Sequence, residues 1–101
     1  KVMEIVKYPK DFEIYPVLVD PYADKKDVLR SYSHELSDIS DSNDADCIVL
    51  AVAHDEFKKK SLSEWDKHFK DMSNDEKVIV DIKSILDKEE VLAKGFRYWR
   101  L

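Results

Sequence analysis

The sequence contains very little glycine and cysteine, and both scarcities restrict its chemistry. It has one glycine, Gly95, among 101 residues. A glycine-rich phosphate loop needs several glycines close together, so neither the dinucleotide-binding fingerprint nor a P-loop is present. The one cysteine, Cys47, excludes a disulfide framework and a metal site built from several thiolates.

Cys47 opens the most apolar run of the chain, between Asp46 and Ile48. A catalytic thiolate needs partial exposure and a cationic neighbour, and this position offers neither. We therefore predict that Cys47 is a small, buried core residue that reacts slowly with thiol reagents. The sequence offers no other candidate for a nucleophilic cysteine.

The chain also lacks a basic face and a long apolar segment. Charged residues make up 39% of the sequence, and the net charge is −5. Nonspecific nucleic-acid binding needs a basic surface, and we interpret Lys58-Lys59-Lys60 as a solvated turn.

No apolar run approaches the roughly 20 residues of a membrane span. The first eight residues form an amphipathic pattern and lack the features of a signal peptide. We expect a cytoplasmic protein with no nucleic-acid or membrane partner.

The histidines do not form a metal-binding pattern. His34, His54 and His68 have no ligand-like spacing with one another. Helical periodicity places His68 on the polar side of the segment that carries Trp65. We therefore expect no metal site.

Apolar runs that end abruptly in charged residues are the most informative feature that is present. Three such runs occur: Tyr15-Pro-Val-Leu-Val-Asp20-Pro21, Cys47-Ile-Val-Leu-Ala-Val-Ala53-His54-Asp55 and Val78-Ile-Val-Asp81-Ile82-Lys83. Such runs are typical of strands buried on both faces of a parallel sheet. Ligands of open α/β sheets bind outside the carboxyl ends of the strands, so Asp20, His54, Asp81 and Lys83 are predicted to surround one cleft.

Helical patterns alternate with these strands. The predicted order is a helix over residues 1–8, a strand over 14–20, a helix over 25–32, a connector over 37–46, a strand over 47–53, a helix, a strand over 78–82, a helix and a strand over 96–101. The third helix begins with the capping box Ser61–Glu64 and is predicted to bury Leu62, Trp65, Phe69 and Met72. The fourth begins after Asp87, has Val91 and Leu92 inward and ends at Gly95. This alternation predicts an α/β fold with a mostly parallel sheet in a single domain, residues 1–101.

Several of these segments resemble a known family. They are Asp44-Ala-Asp46, Ala51-Val-Ala-His-Asp-Glu-Phe57, Val78-Ile-Val-Asp-Ile-Lys83 and Gly95-Phe-Arg-Tyr-Trp-Arg-Leu101, with Val19-Asp20-Pro21 and Ala23-Asp24 before them. In order and spacing they resemble the C-terminal domain of the UDP-glucose/GDP-mannose dehydrogenase family. The nearest branch oxidises UDP-N-acetylhexosamines for bacterial polysaccharide synthesis.

The resemblance implies a three-layer, Rossmann-like domain that lacks its first, central strand. It implies a UDP-sugar-binding domain of an NAD-dependent enzyme, dimeric or larger, that oxidises the sugar C6 alcohol to a carboxylate in two steps. The NAD-binding and catalytic domains of that family precede this one, so we expect the fragment to be inactive and to bind no NAD. The absent strand implies self-association or lower stability.

The resemblance also assigns candidate site residues. It places Lys83 over the diphosphate or uridine side of the substrate, with Asp81 and His54 as further substrate-binding candidates. A lysine after a strand end suits a diphosphate, although it could instead pair with Asp81 or Glu89 on the surface. His54 either lines the cleft or caps the turn that follows it. Asp20 is interpreted as a turn former before Pro21.

Two other functions fit an α/β layer of this size. One is a stand-alone binding or interaction module without catalysis. This alternative would be favoured if the sequence upstream of residue 1 lacked a glycine-rich nucleotide-binding fold. The other is a phosphoacceptor signalling domain, which needs an acidic cluster, an aspartate and a lysine on separate strand ends. Asp81 and Lys83 share one strand end, so the sequence disfavours the signalling domain.

Overall fold

This computed structural model describes Ile39 and residues 42–100. The chain divides into two compact units, Lys1–Ser42 and Asn43–Leu101. In the first unit, the Ser42 amide donates a hydrogen bond of 3.1 Å to the Ile39 carbonyl. Asp20 and the elements predicted over residues 1–32 lie outside the described residues. The single domain over residues 1–101 and the absent central strand therefore stay predictions.

The second unit alternates strands and helices. Its elements are β1 (Cys47–Leu50), α1 (Asp55–Lys58), α2 (Leu62–Asp66), a 3-10 turn (Asn74–Glu76), β2 (Val78–Asp81), α3 (Lys88–Ala93) and β3 (Arg97–Arg100). The strands form a parallel sheet in the order β1-β2-β3, with β2 in the centre. The predicted α/β, Rossmann-like fold with a parallel sheet is confirmed. The first strand is shorter than predicted, since it ends at Leu50 and not at residue 53.

The two sides of this sheet differ in burial. Both crossovers move in the same direction along the sheet, so right-handed connections place α1, α2 and α3 on one face. Leu50 and Ile79 point to that face and are buried, whereas Val49 and Trp99 on the other face are 44% and 56% exposed. The prediction that the run from Cys47 is buried on both faces is therefore wrong.

Cys47 shares the exposed face, because it is two residues from Val49 and side chains alternate along a strand. The cysteine is exposed, and the prediction of a buried core residue is wrong. Partial desolvation and the neighbouring Asp46 carboxylate nevertheless raise the pKa of the Cys47 thiol. An apolar run alone could not indicate which of its residues face the helices.

Helix α2 begins as its capping box predicts. The Ser61 hydroxyl accepts from the Glu64 amide, and the Glu64 carboxylate accepts from the Ser61 amide, both at 3.2 Å. Trp65 and Phe69 are buried as predicted, although the helix ends at Asp66. Phe69 instead forms a parallel bridge with Ala45.

His68 lies in this bridging segment and is 9% exposed, so its predicted place on a polar surface is wrong. The helical periodicity on which that prediction rested stops before residue 68. The His68 carbonyl accepts a hydrogen bond of 3.0 Å from the Ala45 amide, which joins this segment to the residues before β1.

Helix α3 has the predicted ends. The Asp87 carboxylate accepts from the amides of Glu89 and Glu90 at 2.9 and 3.2 Å. Gly95 follows the helix with φ +88°, where a residue with a side chain is disfavoured. Val91 is buried as predicted, but Leu92 is 48% exposed. Adjacent helical residues point about 100° apart, so a short helix on one sheet face buries only one of them.

Candidate functional site

Asp81 ends the central strand β2, and its side chain is completely buried. Its Oδ1 accepts a hydrogen bond of 3.0 Å from the Ile85 amide, and its Oδ2 accepts one of 2.9 Å from the Leu86 amide. Oδ2 also accepts a hydrogen bond of 2.6 Å from the Tyr98 hydroxyl. These donors satisfy a carboxylate that would otherwise be buried without compensation. The end of β2 is thereby tied to the loop that follows it and to β3.

That loop, residues 82–86, turns sharply away from the strand. The Ile82 amide donates a hydrogen bond of 3.0 Å to the Leu50 carbonyl, so the loop begins where the pairing of β1 and β2 ends. Ser84 has φ 55°, a left-handed conformation that is uncommon for residues with a side chain. Lys83 lies between these two residues and is exposed. The loop therefore presents Lys83 to solvent at the carboxyl edge of the central strand.

Neither surface ion pair considered for Lys83 forms. The Asp81 carboxylate is occupied by Tyr98 and the loop amides. Within residues 42–100, ion pairs join Lys70 to Asp46 and Lys77 to Asp66, and neither involves Lys83 or Glu89. The Lys83 ammonium is thus available to an external anion in the described part of the chain. The buried Asp81 supports this loop from inside, and its direct contact with a substrate stays a prediction.

His54 follows β1 and caps α1 through its backbone. Its carbonyl accepts from the amides of Phe57 and Lys58 at 3.0 and 3.1 Å. The half-buried imidazole lies against the Phe57 ring, with the ring centres 5.5 Å apart. Because β1 and β2 are parallel neighbours, His54 and Lys83 follow the same edge of the sheet. His54 thus occupies the N-cap position of α1 without a side-chain cap hydrogen bond, and a contact of the imidazole with substrate stays a prediction.

Sequence reasoning missed Tyr98 as a member of this site. Burial, the hydrogen bond to Asp81 and the charge of that carboxylate raise the pKa of Tyr98 to about 12. The Arg100 guanidinium near the phenol acts in the opposite direction. The register that aligns Asp81 with Arg100 brings these side chains together across two strands. The sequence held one signal of this group. Tyr98 and Arg100 are two residues apart on a strand, so their side chains lie on the same face of the sheet.

Lys77 lies at the opposite, amino end of β2 and is only 8% exposed. Its ammonium donates to Asp66 at 2.7 Å and to the Asn74 side-chain oxygen at 2.9 Å. A buried ammonium must be paired in this way, so its charge is already used within the protein. Lys83 is the better candidate for binding an anion.

Residue 39 and residues 42–100 hold neither a metal-binding cluster nor a membrane-spanning helix. They contain no group of three His, Cys, Asp or Glu side chains that could hold a metal ion. None of their helices is long and apolar enough to cross a membrane.

Comparison with known proteins identifies the family. The model of the UDP-glucose/GDP-mannose dehydrogenase family, UDP binding domain, matches residues 1–88, which include Asp81 and Lys83. The chain belongs to this family. The match ends at residue 88, so it does not include Tyr98 and Arg100.

Two curated relatives are dehydrogenases of UDP-N-acetylhexosamines. The UDP-N-acetyl-D-glucosamine 6-dehydrogenase of Pseudomonas aeruginosa is 28% identical over 90 residues, which are 89% of this chain and 20% of that protein. The UDP-N-acetyl-D-mannosamine dehydrogenase of Methanococcus vannielii is 35% identical over 79 residues, 77% of this chain and 17% of that protein. The chain therefore spans about a fifth of the length of these relatives. No solved structure matches it.

Proposed function

We propose that this chain is the nucleotide-sugar-binding domain of an NAD-dependent UDP-sugar 6-dehydrogenase. The enzyme oxidises the C6 alcohol of a UDP-hexose or UDP-N-acetylhexosamine to a uronate. Family membership and the names of the two relatives support this assignment. The proposal includes cytoplasmic polysaccharide biosynthesis as the setting and a dimer or larger oligomer as the active form.

The observation that carries the proposal is the exposed Lys83, which forms no ion pair with another residue of the described part of the chain. A diphosphate bears charge that a lysine ammonium can neutralise, and the carboxyl edge of a parallel sheet is the usual ligand site of such folds. Lys83 lies at this edge on a loop held by a buried carboxylate. His54 follows the neighbouring strand at the same edge and is the second candidate for a contact with the UDP-sugar.

The residues present do not fit NAD. The one glycine ends α3, beside the start of β3, and has no glycine-rich loop around it. NAD therefore belongs to the proposal for the whole enzyme, in which other parts of the protein hold the dinucleotide. This chain contributes the charge and the shape of the nucleotide-sugar site.

Titration of the chain with UDP, followed by NMR, tests this function. We expect the largest amide shifts in residues 82–86 and around His54, and a clear loss of affinity in Lys83→Ala. Lys94→Ala is the matched control, because it removes the same charge from an exposed lysine at the amino edge of the sheet. Equal UDP affinities of the wild type and Lys83→Ala would remove Lys83 from the site.

A further inference from the structure

One buried carboxylate joins three segments of this domain. Asp81 belongs to the end of β2, and it holds the two amides at the far end of the following loop and the Tyr98 hydroxyl on β3. The hydroxyl and the Leu86 amide share Oδ2, and the hydroxyl also lies 3.4 Å from the Leu86 carbonyl. The Asp81 carboxylate thus connects the two ends of the loop, and the Tyr98 hydroxyl on β3 holds this carboxylate in place. The side chains of Asp81 and Tyr98 together form the brace of the loop.

The shape of the loop depends on this brace. Ser84 has φ 55°, and such a conformation persists only when the surrounding structure imposes it. The hydrogen bonds from the Ile85 and Leu86 amides to Asp81 hold the backbone on the carboxyl side of Ser84 in this conformation. Asp81 is completely buried, so it provides a fixed acceptor. Tyr98 supplies the only donor to this carboxylate that does not belong to the loop itself, among the contacts of the described residues.

We propose that Asp81 and Tyr98 are positioning residues that hold the 82–86 loop and thereby place Lys83 for a nucleoside diphosphate. This inference rests on the proposed function of Lys83. A lysine on a pre-shaped loop loses less conformational freedom on binding than one on a mobile loop, so affinity depends on the brace. Tyr98 lies outside the residues that the family model matches, so the family comparison does not assign it this role.

A double-mutant cycle in the 101-residue chain measures this coupling, with UDP as the probe. Tyr98→Phe removes the hydroxyl and keeps the ring, and we expect it to weaken UDP binding by about three- to tenfold. In the Lys83→Ala background the same change should leave UDP affinity unaltered, because the group that it positions is gone. A loss of affinity that arose only from lower stability would not depend on Lys83.

Ser61→Ala is the control for stability. It removes the helix cap of α2, which lowers the free energy of unfolding without touching the loop. We expect unchanged UDP affinity in this variant. A loss equal to that of Tyr98→Phe would attribute the effect to general destabilisation and overturn the inference.

Amide hydrogen exchange tests the brace without any ligand. Tyr98→Phe and Asp81→Asn should accelerate exchange at Ile85 and Leu86 more than at Ile79 in the centre of the sheet. Unchanged exchange at Ile85 and Leu86 would overturn the brace. Unchanged UDP affinity in Lys83→Ala would remove Lys83 from the proposed site and overturn the positioning role with it. A loss in Lys83→Ala with none in Tyr98→Phe would overturn the positioning role alone.

Discussion

The Tyr98 hydroxyl donates a hydrogen bond of 2.6 Å to Oδ2 of Asp81, which joins β3 to the loop after β2. The contact needs the neutral phenol, and the pKa of Tyr98 is raised from 10.0 to about 12. Its contribution to stability is therefore complete below about pH 10 and is lost as the pH rises through about 12. The difference in unfolding free energy between the wild type and Tyr98→Phe should shrink over that range. Denaturant titrations at several pH values measure it, and a difference that stays constant up to pH 12 would contradict the assignment.

Ser84 should tolerate glycine and reject a β-branched residue. Its φ of 55° costs a residue with a side chain about 1–2 kcal/mol, whereas glycine adopts it freely. Relief of that cost offsets the entropy that glycine adds to the unfolded chain, so Ser84→Gly should change the free energy of unfolding by less than about 1 kcal/mol. Ser84→Val should destabilise by more than about 1 kcal/mol. Equal stabilities of the two variants in urea would contradict the left-handed conformation.

Lys83→Ala in a complete dehydrogenase subunit should weaken UDP-sugar binding and leave NAD binding unchanged. The loss of one charge-assisted contact costs about 1.5–3 kcal/mol, roughly ten- to a hundredfold in affinity, in a site that excludes water. In a wet site the loss falls below about 1 kcal/mol. Calorimetric titration of both ligands makes the measurement, with Lys94→Ala as control. An equal loss for NAD would place Lys83 outside the UDP-sugar site.

Cys47 should react with a thiol reagent in the folded protein, because its side chain is exposed. Desolvation and Asp46 raise the pKa of the thiol above its ordinary 9.0, so labelling should be slow near neutral pH and accelerate as the pH rises. Asp46→Asn should lower that pKa and speed the reaction. Labelling kinetics of the native and urea-unfolded chain provide the comparison. Reaction only after unfolding would restore the prediction of a buried cysteine.

The isolated chain should form no NADH from a UDP-N-acetylhexosamine and NAD. It has no glycine-rich dinucleotide loop, since Gly95 is its one glycine. Absorbance of NADH in a prolonged incubation measures this, and a complete dehydrogenase of the same family serves as the positive control. Sustained NADH production that follows the purified chain through chromatography would refute the assignment as a binding domain.

Features that depend on neighbours in the sequence were predictable from it. The capping box of Ser61 and Glu64, the cap at Asp87 and the left-handed Gly95 all follow from contacts within a few residues. A backbone amide at a helix start needs an acceptor nearby, and the sequence places that acceptor at fixed spacing. The strand starts at Cys47 and Val78 were likewise predictable from apolar runs that end in charge.

Within residues 42–100, the sequence by itself thus determined the order of the three strands along the chain, the positions of the caps and the location of Lys83 after β2. It did not indicate the separate helix α1 or the central position of β2 in the sheet. Only the tertiary structure decided which residues face the helices and which side chains meet across strands. The exposure of Cys47 and Leu92 and the contact between Asp81 and Tyr98 belong to that second class. The physical reason is that capping depends on local spacing, whereas burial and cross-strand contacts depend on sheet register and on the face that the crossovers cover.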